Sequence, residues 1–269
     1  MFNNNADIKS FYNDAPLYED DRLERHQIEF DMTWRYLDRY LPATGSILEI
    51  GAATGKYTVG LAQRGYRVTA VDISSKLLDM CRANLAKASV EQFVEIIEAD
   101  ARHLDAIHKH DYDAVLLMGP LYHLFTESAR KEALQEAFDR LRPGGLIVSA
   151  HISRYGIMGN LIRIHPSWIE DHTSVQSHFD NGHIPVDREH SGFRGYFATV
   201  EEIEPLHEAV GFETVVLAGI EPGISDDDES YNKLEGKQRE LWLDLFFKMS
   251  TDRSLIGASR HLLYVGRKN

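Results

Sequence analysis

The sequence contains a single cysteine and no long apolar run. Cys81 has no second cysteine to pair with, which excludes an intrachain disulfide and a cysteine metal cluster. No apolar stretch approaches the roughly 20 residues that span a bilayer. The N-terminal segment MFNNNADIKSFYNDAP lacks the basic and apolar regions of a signal peptide. We therefore expect a cytoplasmic protein with no membrane partner.

Positive charge is also scarce. The 269 residues include 29 Lys and Arg against 42 Asp and Glu, a formal net charge of −13. A surface this acidic repels phosphate backbones and anionic lipids unless a basic patch offsets it. The most basic stretch, residues 233–239, is interleaved with Glu235 and followed by Glu240. Nucleic acid is therefore not an expected partner.

What the sequence does contain is a regular alternation of short apolar strands and amphipathic helices. Strands are predicted at residues 46–50, 67–71, 94–98, 113–117, 146–150, 213–217 and 261–265. Helices are predicted between them at residues 57–64, 74–87 and 127–141, with Ser74 as an N-cap. This spacing predicts an α/β fold in which helices cover both faces of a mostly parallel, doubly wound sheet.

Three segments lie outside this alternation. Residues 1–45 form a predicted N-terminal helical cap, with a helix at 21–41, before a cofactor-binding domain that spans residues 46–269. Residues 154–197 lack a clean period and are interpreted as an inserted lid over the site, with a dimer contact as the alternative. Residues 226–254 form a second, helical insertion.

Two helices near the C-terminus give specific expectations. Thr199 and Glu202 predict a capping box, and Pro205 predicts a kink or a later start of the same helix. The acidic run at residues 226–229 is interpreted as a solvated loop. The helix predicted next, at residues 230–249, is expected to bury Leu234, Leu241, Leu245 and Phe246.

The first chemical signal is the glycine-rich segment EIGAATG, residues 49–55, which leaves a predicted strand and enters a helix. Glycines there let the backbone approach a ligand, and the helix N-terminus supplies N–H donors. Asp72 ends the next strand, where a carboxylate can accept both hydroxyls of a ribose. Each feature has a structural alternative, namely a strand-to-helix turn for the loop and a helix cap for Asp72.

Three features favour an adenosyl amino acid over a dinucleotide. The loop is not G-x-G-x-x-G, because residue 53 is Ala and no glycine follows three residues later. Glu49 stands at the start of the loop, where it would repel a pyrophosphate and attract an ammonium group. Asp100 follows the third strand, where it can accept a hydrogen bond from an adenine amino group.

With these motifs and two more, the chain resembles the class I, Rossmann-like S-adenosylmethionine-dependent methyltransferases, in particular their small-molecule members. The matching segments run in the family's order. They are Glu49-x-Gly51-x-Ala53-x-Gly55, Val71-Asp72-Ile73-Ser74, Asp100, Tyr112-Asp113-Ala114-Val115 and Leu141-Arg142-Pro143-Gly144-Gly145. The resemblance implies a seven-stranded sheet with six parallel strands and an antiparallel last strand.

The resemblance also implies cofactor contacts. Gly51 and Gly55 would pass beside the methionine moiety, Asp72 would hold the ribose, and Asp100 would bind the adenine amino group. The predicted cofactor set is Glu49, Gly51, Ala53, Gly55, Asp72, Ile73, Asp100, Ala101 and Met118. The family usually has glycine where this chain has Ala53. Because alanine favours a negative φ, we expect a slightly displaced loop there.

The segment LMGPLYHL, residues 117–124, follows the fourth strand, whose end lies beside the transferable methyl group in the family. Tyr122 and His123 are candidate catalytic residues that would orient or deprotonate the acceptor. The alternative is that His123 packs on the cofactor or caps the next helix. DNA adenine methyltransferases carry Asn or Asp, then Pro, Pro and an aromatic residue here. Met118-Gly119-Pro120-Leu121 does not match, which disfavours a base amine as substrate.

Other candidates lie on the expected acceptor side. Arg22, Arg154 and Tyr155 are predicted acceptor contacts, although Arg22 would alternatively pair with Glu19 or Asp20. Tyr12 and Tyr18 lie in a stretch that often folds over the cofactor in small-molecule members of the family. No metal is predicted, because the histidines at 165, 172, 178, 183 and 190 lack helical pair spacing and no cysteine assists them.

The predicted function is transfer of a methyl group from S-adenosylmethionine to a small-molecule O, N or C nucleophile, leaving S-adenosylhomocysteine. Displacement at a sulfonium needs no metal and often no strong base, so alignment and desolvation can supply most of the catalysis. The alternatives are a non-catalytic S-adenosylmethionine-binding regulator and an NAD-type oxidoreductase. We expect a monomer or a homodimer.

Overall fold

The computed structural model describes residues 8–10, 12–13, 22–183, 195–223 and 227–269. Its centre is one sheet in the order β3-β2-β1-β4-β5-β8-β7, with the short β6 paired to the end of β5. The strands are β1 Ser46–Ile50, β2 Arg67–Asp72, β3 Val94–Glu98, β4 Tyr112–Leu117, β5 Leu141–Ser153, β6 Phe197–Ala198, β7 Phe212–Gly219 and β8 His261–Lys268.

The strand directions confirm the predicted fold class. Strands β1 to β5 pair in parallel, whereas β8 is antiparallel to both β5 and β7. The sheet is therefore mostly parallel with an antiparallel last strand. The prediction of seven strands omitted β6, whose two residues pair in parallel with Ile152 and Ser153 at the end of β5.

Helices cover both faces of the sheet. They are α1 Arg22–Arg25, α2 Gln27–Tyr40, α3 Lys56–Gln63, α4 Ser75–Ala88, α5 Glu127–Arg140, α6 Met158–Ile164, α7 His172–Asn181, α8 Val200–Glu208, α9 Asp228–Asn232, α10 Gly236–Met249 and α11 Arg253–Ile256. Residues 8–10 and 12–13 are also helical. The single helix predicted at 21–41 is divided at His26, whose φ and ψ of −116° and 60° are not helical.

Two apolar clusters, one on each side of the sheet, hold the layers together. Leu134 and Ala137 of α5 belong to one cluster, and Leu37 of α2 and Phe246 of α10 belong to the other. A fully buried Leu or Phe side chain contributes about 1.5–3 kcal/mol relative to an exposed one. The central strands β1, β2 and β4 are thus buried on both faces, as their continuous apolar runs predict, whereas the edge strand β3 is partly exposed.

Local capping decides where several helices begin. Ser74 accepts the backbone N–H of Leu77, which confirms it as the N-cap of α4. The predicted capping box is present at α8, where Glu202 accepts the backbone N–H of Thr199 at 2.9 Å. Helix α8 begins at Val200 and includes Pro205, so of the two predicted outcomes the later start is wrong and the kink stays a prediction. The capping box fixes the start upstream of the proline.

The C-terminal insertion differs most from its prediction. The chain forms two helices, α9 and α10, where one was expected at residues 230–249. Leu241 and Leu245 are 58% and 43% exposed, so their predicted burial is wrong, and Leu243 and Phe246 face the core instead. The acidic run is not simply solvated either, because Asp228 is buried. Its counter-ions come from distant parts of the chain, where local periodicity carries no information.

The order of the strands indicates where a ligand-binding crevice lies. β1 lies between β2 and β4, so the order of the strands reverses at β1. In open α/β sheets, ligands bind outside the carboxyl ends of the strands at this reversal. Along the described ranges, no helix has both the length and the apolar character needed to cross a membrane.

Candidate functional site

A cleft opens at the carboxyl ends of β1 to β4, with an empty volume of about 670 Å³ when the open solvent at its mouth is included. The cleft is lined by the glycine loop, by residues that follow β2, β3 and β4, and by the N-terminal stretch. The lining residues are Ile8, Tyr12, Ile50, Gly51, Ala53, Asp72, Ile73, Leu77, Ala99, Asp100, Ala101, Met118, Gly119, Pro120, Tyr122, His123 and Leu124.

Most of the predicted cofactor residues therefore meet in one place. Those at the cleft surface are Gly51, Ala53, Asp72, Ile73, Asp100, Ala101 and Met118, and the candidate catalytic residues Tyr122 and His123 join them. Glu49 and Gly55 do not line the cleft. Their side of the loop faces the protein interior, where Glu49 is 1% exposed.

The glycine loop needs its glycines for space as well as for backbone conformation. Gly51 and Gly55 have φ of 85° and 83°, in the left-handed region that favours glycine. A Cβ at position 51 would lie 2.6 Å from Cδ of Pro120, and one at position 55 would lie 2.5 Å from Sγ of Cys81. The loop is thus packed tightly between the turn after β4 and helix α4.

The expectation for Ala53 was wrong. Ala53 has a φ of 48°, so an alanine occupies the left-handed region instead of avoiding it. Such a conformation costs an L-residue about 1–2 kcal/mol. The cost is offset by a specific contact, because the backbone N–H of Ala53 donates to Oδ2 of Asp72 at 2.9 Å. The loop keeps the glycine conformation without the glycine.

Asp72 connects the loop to the next helix. Its Oδ2 accepts from Ala53, and its Oδ1 accepts the backbone N–H of Ser74 at 2.9 Å. The N-cap of α4 is Ser74, so Asp72 is not the capping residue. Asp72 supports the cap only by accepting the backbone N–H of Ser74. Asp72 is buried and lines the cleft. Its two carboxylate oxygens are therefore held in fixed positions at the end of β2.

Asp100 is fixed by a residue that the sequence did not single out. Arg102 donates to both carboxylate oxygens of Asp100, with Nε at 3.2 Å from Oδ1 and Nη2 at 2.8 Å from Oδ2. The backbone N–H of Arg102 also donates to Oδ1 at 3.0 Å. A two-pronged guanidinium contact sets the plane of the carboxylate. Arg102 was detectable only as a cation two residues after a candidate acid.

Glu49 is a buried carboxyl group without a cationic partner in the described part of the chain. Thr58 Oγ1 donates to its Oε2 at 2.6 Å. Burial raises the pKa of Glu49 to about 8, and the nearby charge of Asp72 adds to this increase. The carboxyl group behind the glycine loop therefore carries a proton at neutral pH and would ionise beside a cation.

The turn after β4 places Tyr122 and His123 at the cleft. Residues Pro120–His123 form a 3₁₀ turn in which His123 is 8% exposed. The carbonyl of Tyr122 accepts the backbone N–H of Tyr196 at 2.7 Å, which joins the turn to the returning 154–197 segment. Nε2 of His123 lies 2.7 Å from Oη of Tyr12.

The described part of the N-terminal stretch, residues 8–10 and 12–13, contributes two side chains to the cleft. Ile8 and Tyr12 line the cleft, whereas Tyr18 lies outside the described residues. Asn13 anchors the stretch, because its Oδ1 accepts from Ser74 Oγ and its carbonyl accepts from Lys76 Nζ, each at 2.7 Å.

The three predicted acceptor contacts lie away from the cleft lining. Arg22 donates to Glu29 at 2.8 and 3.0 Å; its alternative partners Glu19 and Asp20 fall outside the described residues. Arg154 is buried and donates to both carboxylate oxygens of Glu202. Tyr155 is 52% exposed. The structure thus places all three elsewhere, and two of them in ion pairs.

A second polar cluster, here called the charged junction, was not predicted. It consists of Glu29, Glu221, Asp228, Arg260, His26 and His261. Arg260 pairs with the fully buried Glu221 and with Asp228, which also contacts His26 at 2.9 Å. Burial opposes ionisation of Glu29, but Arg22, His261 and His26 outweigh it and lower its pKa to about 2. The junction ties α1 and α2 to β8 and α9.

Within the described ranges, one group of side chains has the chemistry of metal ligands. It comprises Glu29, Glu221 and His261, whose ligand atoms all lie within 4.8 Å of one another. The guanidinium groups of Arg22 and Arg260 already contact the two carboxylates. The group is therefore the core of the charged junction. Among the histidines of the 154–197 segment, His178 donates to a backbone carbonyl, and His190 lies outside the described residues.

Comparison with known sequences identifies the central part of the chain. A family model described as "Methyltransferase domain" matches residues 47–145. A glycine/sarcosine N-methyltransferase of Parasynechococcus marenigrum is 29% identical over 128 residues, 47% of this chain and 44% of that protein. An S-adenosyl-L-methionine-dependent Diels-Alderase of Talaromyces variabilis is 36% identical over 115 residues, 42% of this chain and 38% of that protein. The chain spans about half the length, or less, of these curated relatives.

Solved structures match over much more of the chain. A SAM-dependent methyltransferase of Methanosarcina mazei has a TM-score of 0.60 at 16% identity and covers 87% of this chain and 96% of its own. Magnesium protoporphyrin IX methyltransferase of Synechocystis, with bound SAM, has a TM-score of 0.58 at 11% identity and covers 100% and 99%. At these identities the similarity establishes the fold.

Proposed function

We propose that this chain, whose residues 47–145 match the family model described as "Methyltransferase domain", is a class I S-adenosylmethionine-dependent methyltransferase that methylates a small-molecule O, N or C nucleophile. The observation that carries the proposal is the cleft, in which the glycine loop, Asp72 and Asp100 meet at the ends of three neighbouring strands. The glycine loop, Asp72 and Asp100 would contact, in this order, the amino-acid, ribose and adenine parts of an adenosyl amino acid.

The residues present fit S-adenosylmethionine. Asp72 would accept the two ribose hydroxyls, and Asp100 would accept from the adenine amino group. Ile73, Leu77 and Leu124 provide apolar surface for the adenine ring at the cleft wall. When bound, the cofactor supplies a methyl group on a sulfonium, which leaves as the sulfur regains an electron pair.

Glu49 provides a second reason for an amino-acid cofactor. The carboxyl group is buried behind the loop and holds a proton near neutral pH because of its environment. The ammonium group of a bound cofactor would favour the ionised form, since an opposite charge stabilises a carboxylate. A pyrophosphate is negatively charged and would disfavour the ionised form of Glu49, which argues against a dinucleotide.

The other walls of the cleft favour a small acceptor without a negative charge. In the described lining, Asp72 and Asp100 supply the charges, and both lie on the cofactor side. Tyr12, Tyr122 and His123 supply hydrogen-bonding groups on the turn and the N-terminal stretch. Such a surface suits an amine, phenol or alcohol better than a carboxylate or a phosphate backbone.

One relative favours a second candidate function. The Talaromyces protein is named as a Diels-Alderase that depends on S-adenosyl-L-methionine. A chain of this fold can therefore use the cofactor in a reaction other than methylation. For the present chain, that candidate predicts cofactor binding without release of S-adenosylhomocysteine.

The test combines binding with turnover. S-adenosylhomocysteine binding is measured by calorimetry, and its release from S-adenosylmethionine is then measured with glycine, sarcosine, histamine, catechol and 4-nitrophenol, with mass spectrometry of the products. We expect binding together with at least one methylated product. Binding without a product from any acceptor would support the second candidate. Stabilisation by NADH and none by S-adenosylhomocysteine would overturn both.

A further inference from the structure

Tyr12 and His123 form a direct hydrogen bond across the cleft, although 111 positions separate them in the sequence. Oη of Tyr12 lies 2.7 Å from Nε2 of His123. Their rings meet edge to face with centroids 5.4 Å apart. Both side chains line the cleft that holds the proposed cofactor site. A hydroxyl and an imidazole at this distance can exchange a proton.

At Nε2, the hydroxyl of Tyr12 lies between the imidazole of His123 and the rest of the cleft. His123 is 8% exposed, and Tyr122 packs against its ring with centroids 4.8 Å apart. Because the hydroxyl of Tyr12 stands against Nε2, an acceptor in the cleft would meet that hydroxyl before the nitrogen. Tyr12 is the more exposed of the two side chains. Of the two residues, Tyr12 is therefore the one that an acceptor in the cleft would contact first.

The described residues next to Tyr12 make contacts of their own. Asn13 accepts hydrogen bonds from Ser74 and Lys76, and Lys9 forms an ion pair with Glu98 at the end of β3. None of these contacts involves the hydroxyl of Tyr12, so Tyr12→Phe leaves all of their partners in place.

We propose that Tyr12 is a further catalytic residue, which takes the proton of the acceptor and passes its own proton to His123. This inference rests on the proposed methyl transfer. As the nucleophile bonds to the methyl carbon, the C–S bond breaks and its electron pair stays on sulfur. The acceptor proton moves to Oη of Tyr12, and the tyrosine proton moves to Nε2 of His123. The products are a methylated acceptor, a neutral thioether and an imidazolium, so the positive charge is conserved.

The test is Tyr12→Phe, which removes the hydroxyl and keeps the ring, in the full chain with the acceptor that gave the highest turnover. We expect kcat to fall about 10²-fold, in the range of general acid–base contributions. The pH dependence of kcat should differ from that of the wild type, because the proton path to Nε2 of His123 is broken. Affinity for S-adenosylhomocysteine should stay within about threefold. Tyr40→Phe is the matched control, because Tyr40 ends α2 and does not line the cleft.

A second readout does not require turnover. Imidazole ¹⁵N spectra of the S-adenosylhomocysteine complex should show the Nε2 signal of His123 shifting in Tyr12→Phe and unchanged in Tyr40→Phe. Unchanged kcat with a raised KM for S-adenosylmethionine would mean that Tyr12 only covers the cofactor, and would overturn the relay. An unshifted Nε2 signal would overturn it as well. If the wild type binds S-adenosylhomocysteine but methylates nothing, the proposed function fails first and the relay fails with it.

Discussion

Two buried glutamates occupy opposite electrostatic situations in this protein. Glu49, behind the cofactor loop, has a hydroxyl donor and a neighbouring carboxylate, and its pKa is raised to about 8. Burial also opposes ionisation of Glu29, in the charged junction, but Arg22, His261 and His26 lower its pKa to about 2. The junction already contains its cations, whereas the described residues around Glu49 include none. The comparison supports the proposal that the glycine loop receives a positive group from its ligand, and it indicates a structural role for the junction.

The two regions also respond to pH in opposite directions. Ionised Glu29 stabilises the fold above the ordinary glutamate pKa of 4.5, and this contribution is lost as the pH falls towards 2. Glu49 holds a proton in the folded state that the unfolded chain has already released. Its contribution to stability therefore falls as the pH rises from 4.5 to about 8.

The largest expected effect tests the cofactor side. Asp72→Ala removes the carboxylate proposed to accept two ribose hydroxyls, and each such bond to a charged group contributes about 1.5–3 kcal/mol. We expect affinity for S-adenosylhomocysteine to fall about 10²- to 10⁴-fold in calorimetry. The change also frees the N–H groups of Ala53 and Ser74.

Asp79→Ala is the matched control for Asp72→Ala. Asp79 lies on the following helix in an exposed pair with Arg82, and such pairs contribute little. Its affinity for S-adenosylhomocysteine should equal that of the wild type. Equal affinities for the Asp72 variant and this control would remove the ribose assignment.

The next effect tests the charged junction. Arg260→Met leaves the buried carboxylates of Glu221 and Asp228 without their shared cation. Breaking a buried pair in this way destabilises a protein by about 3–5 kcal/mol. We expect that loss in urea unfolding, with the fold retained at low temperature.

Arg35→Met provides the comparison for the junction. Arg35 also joins the N-terminal helices to the C-terminal insertion, through Glu240 and Asp244, but these ion pairs are exposed. We expect a change below about 1 kcal/mol. If both arginine variants lost the same small free energy of unfolding, burial of the junction would not be the reason that it stabilises the protein.

The same comparison explains which features the sequence predicts. The strands, the Ser74 cap and the positions of Asp72 and Asp100 follow from local patterns, because the ends of parallel strands meet at one edge whatever the side chains do. The contacts of Arg260 with Glu221 and of Tyr12 with His123 join positions 39 and 111 residues apart. The local periodicity of a sequence does not indicate which distant residues form such pairs.

Local patterns also fail where a helix start is ambiguous. Leu241 and Leu245 have the spacing of a buried face, but α10 begins at Gly236 and turns Leu243 and Phe246 inward instead. Its orientation is set by packing against α2, which the chain reaches only in three dimensions. The conformation of Ala53 is a similar case, because a contact with Asp72 outweighs the preference of alanine.

A smaller effect separates stability from binding at Glu49. Glu49→Gln removes the buried acid, so we expect the ligand-free protein at pH 8 to gain about 1–3 kcal/mol in urea unfolding. Affinity for S-adenosylhomocysteine should fall, because an amide cannot neutralise its ammonium group. A residue that destabilises the protein while serving its ligand is a common compromise at functional sites.

Proton release gives an independent measurement of the same group. At pH 7, ligand binding to the wild type should expel the proton of Glu49, so the calorimetric enthalpy should vary with the ionisation enthalpy of the buffer. In Glu49→Gln that variation should vanish. A wild-type enthalpy that is the same in phosphate and Tris buffers would show that the charge of the ammonium group does not ionise Glu49.

The smallest effect concerns the conformation of the loop itself. Ala53→Gly relieves a left-handed alanine, worth about 1–2 kcal/mol, but adds the backbone freedom of glycine, which costs about 0.5–1 kcal/mol. We expect a net gain near 0.5 kcal/mol in urea unfolding and unchanged affinity for S-adenosylhomocysteine. Ala52→Gly carries the same entropy cost at a position without a positive φ, so it should destabilise the protein. Opposite signs at adjacent alanines would show that Asp72 holds the loop against a backbone preference, and equal signs would show that it does not.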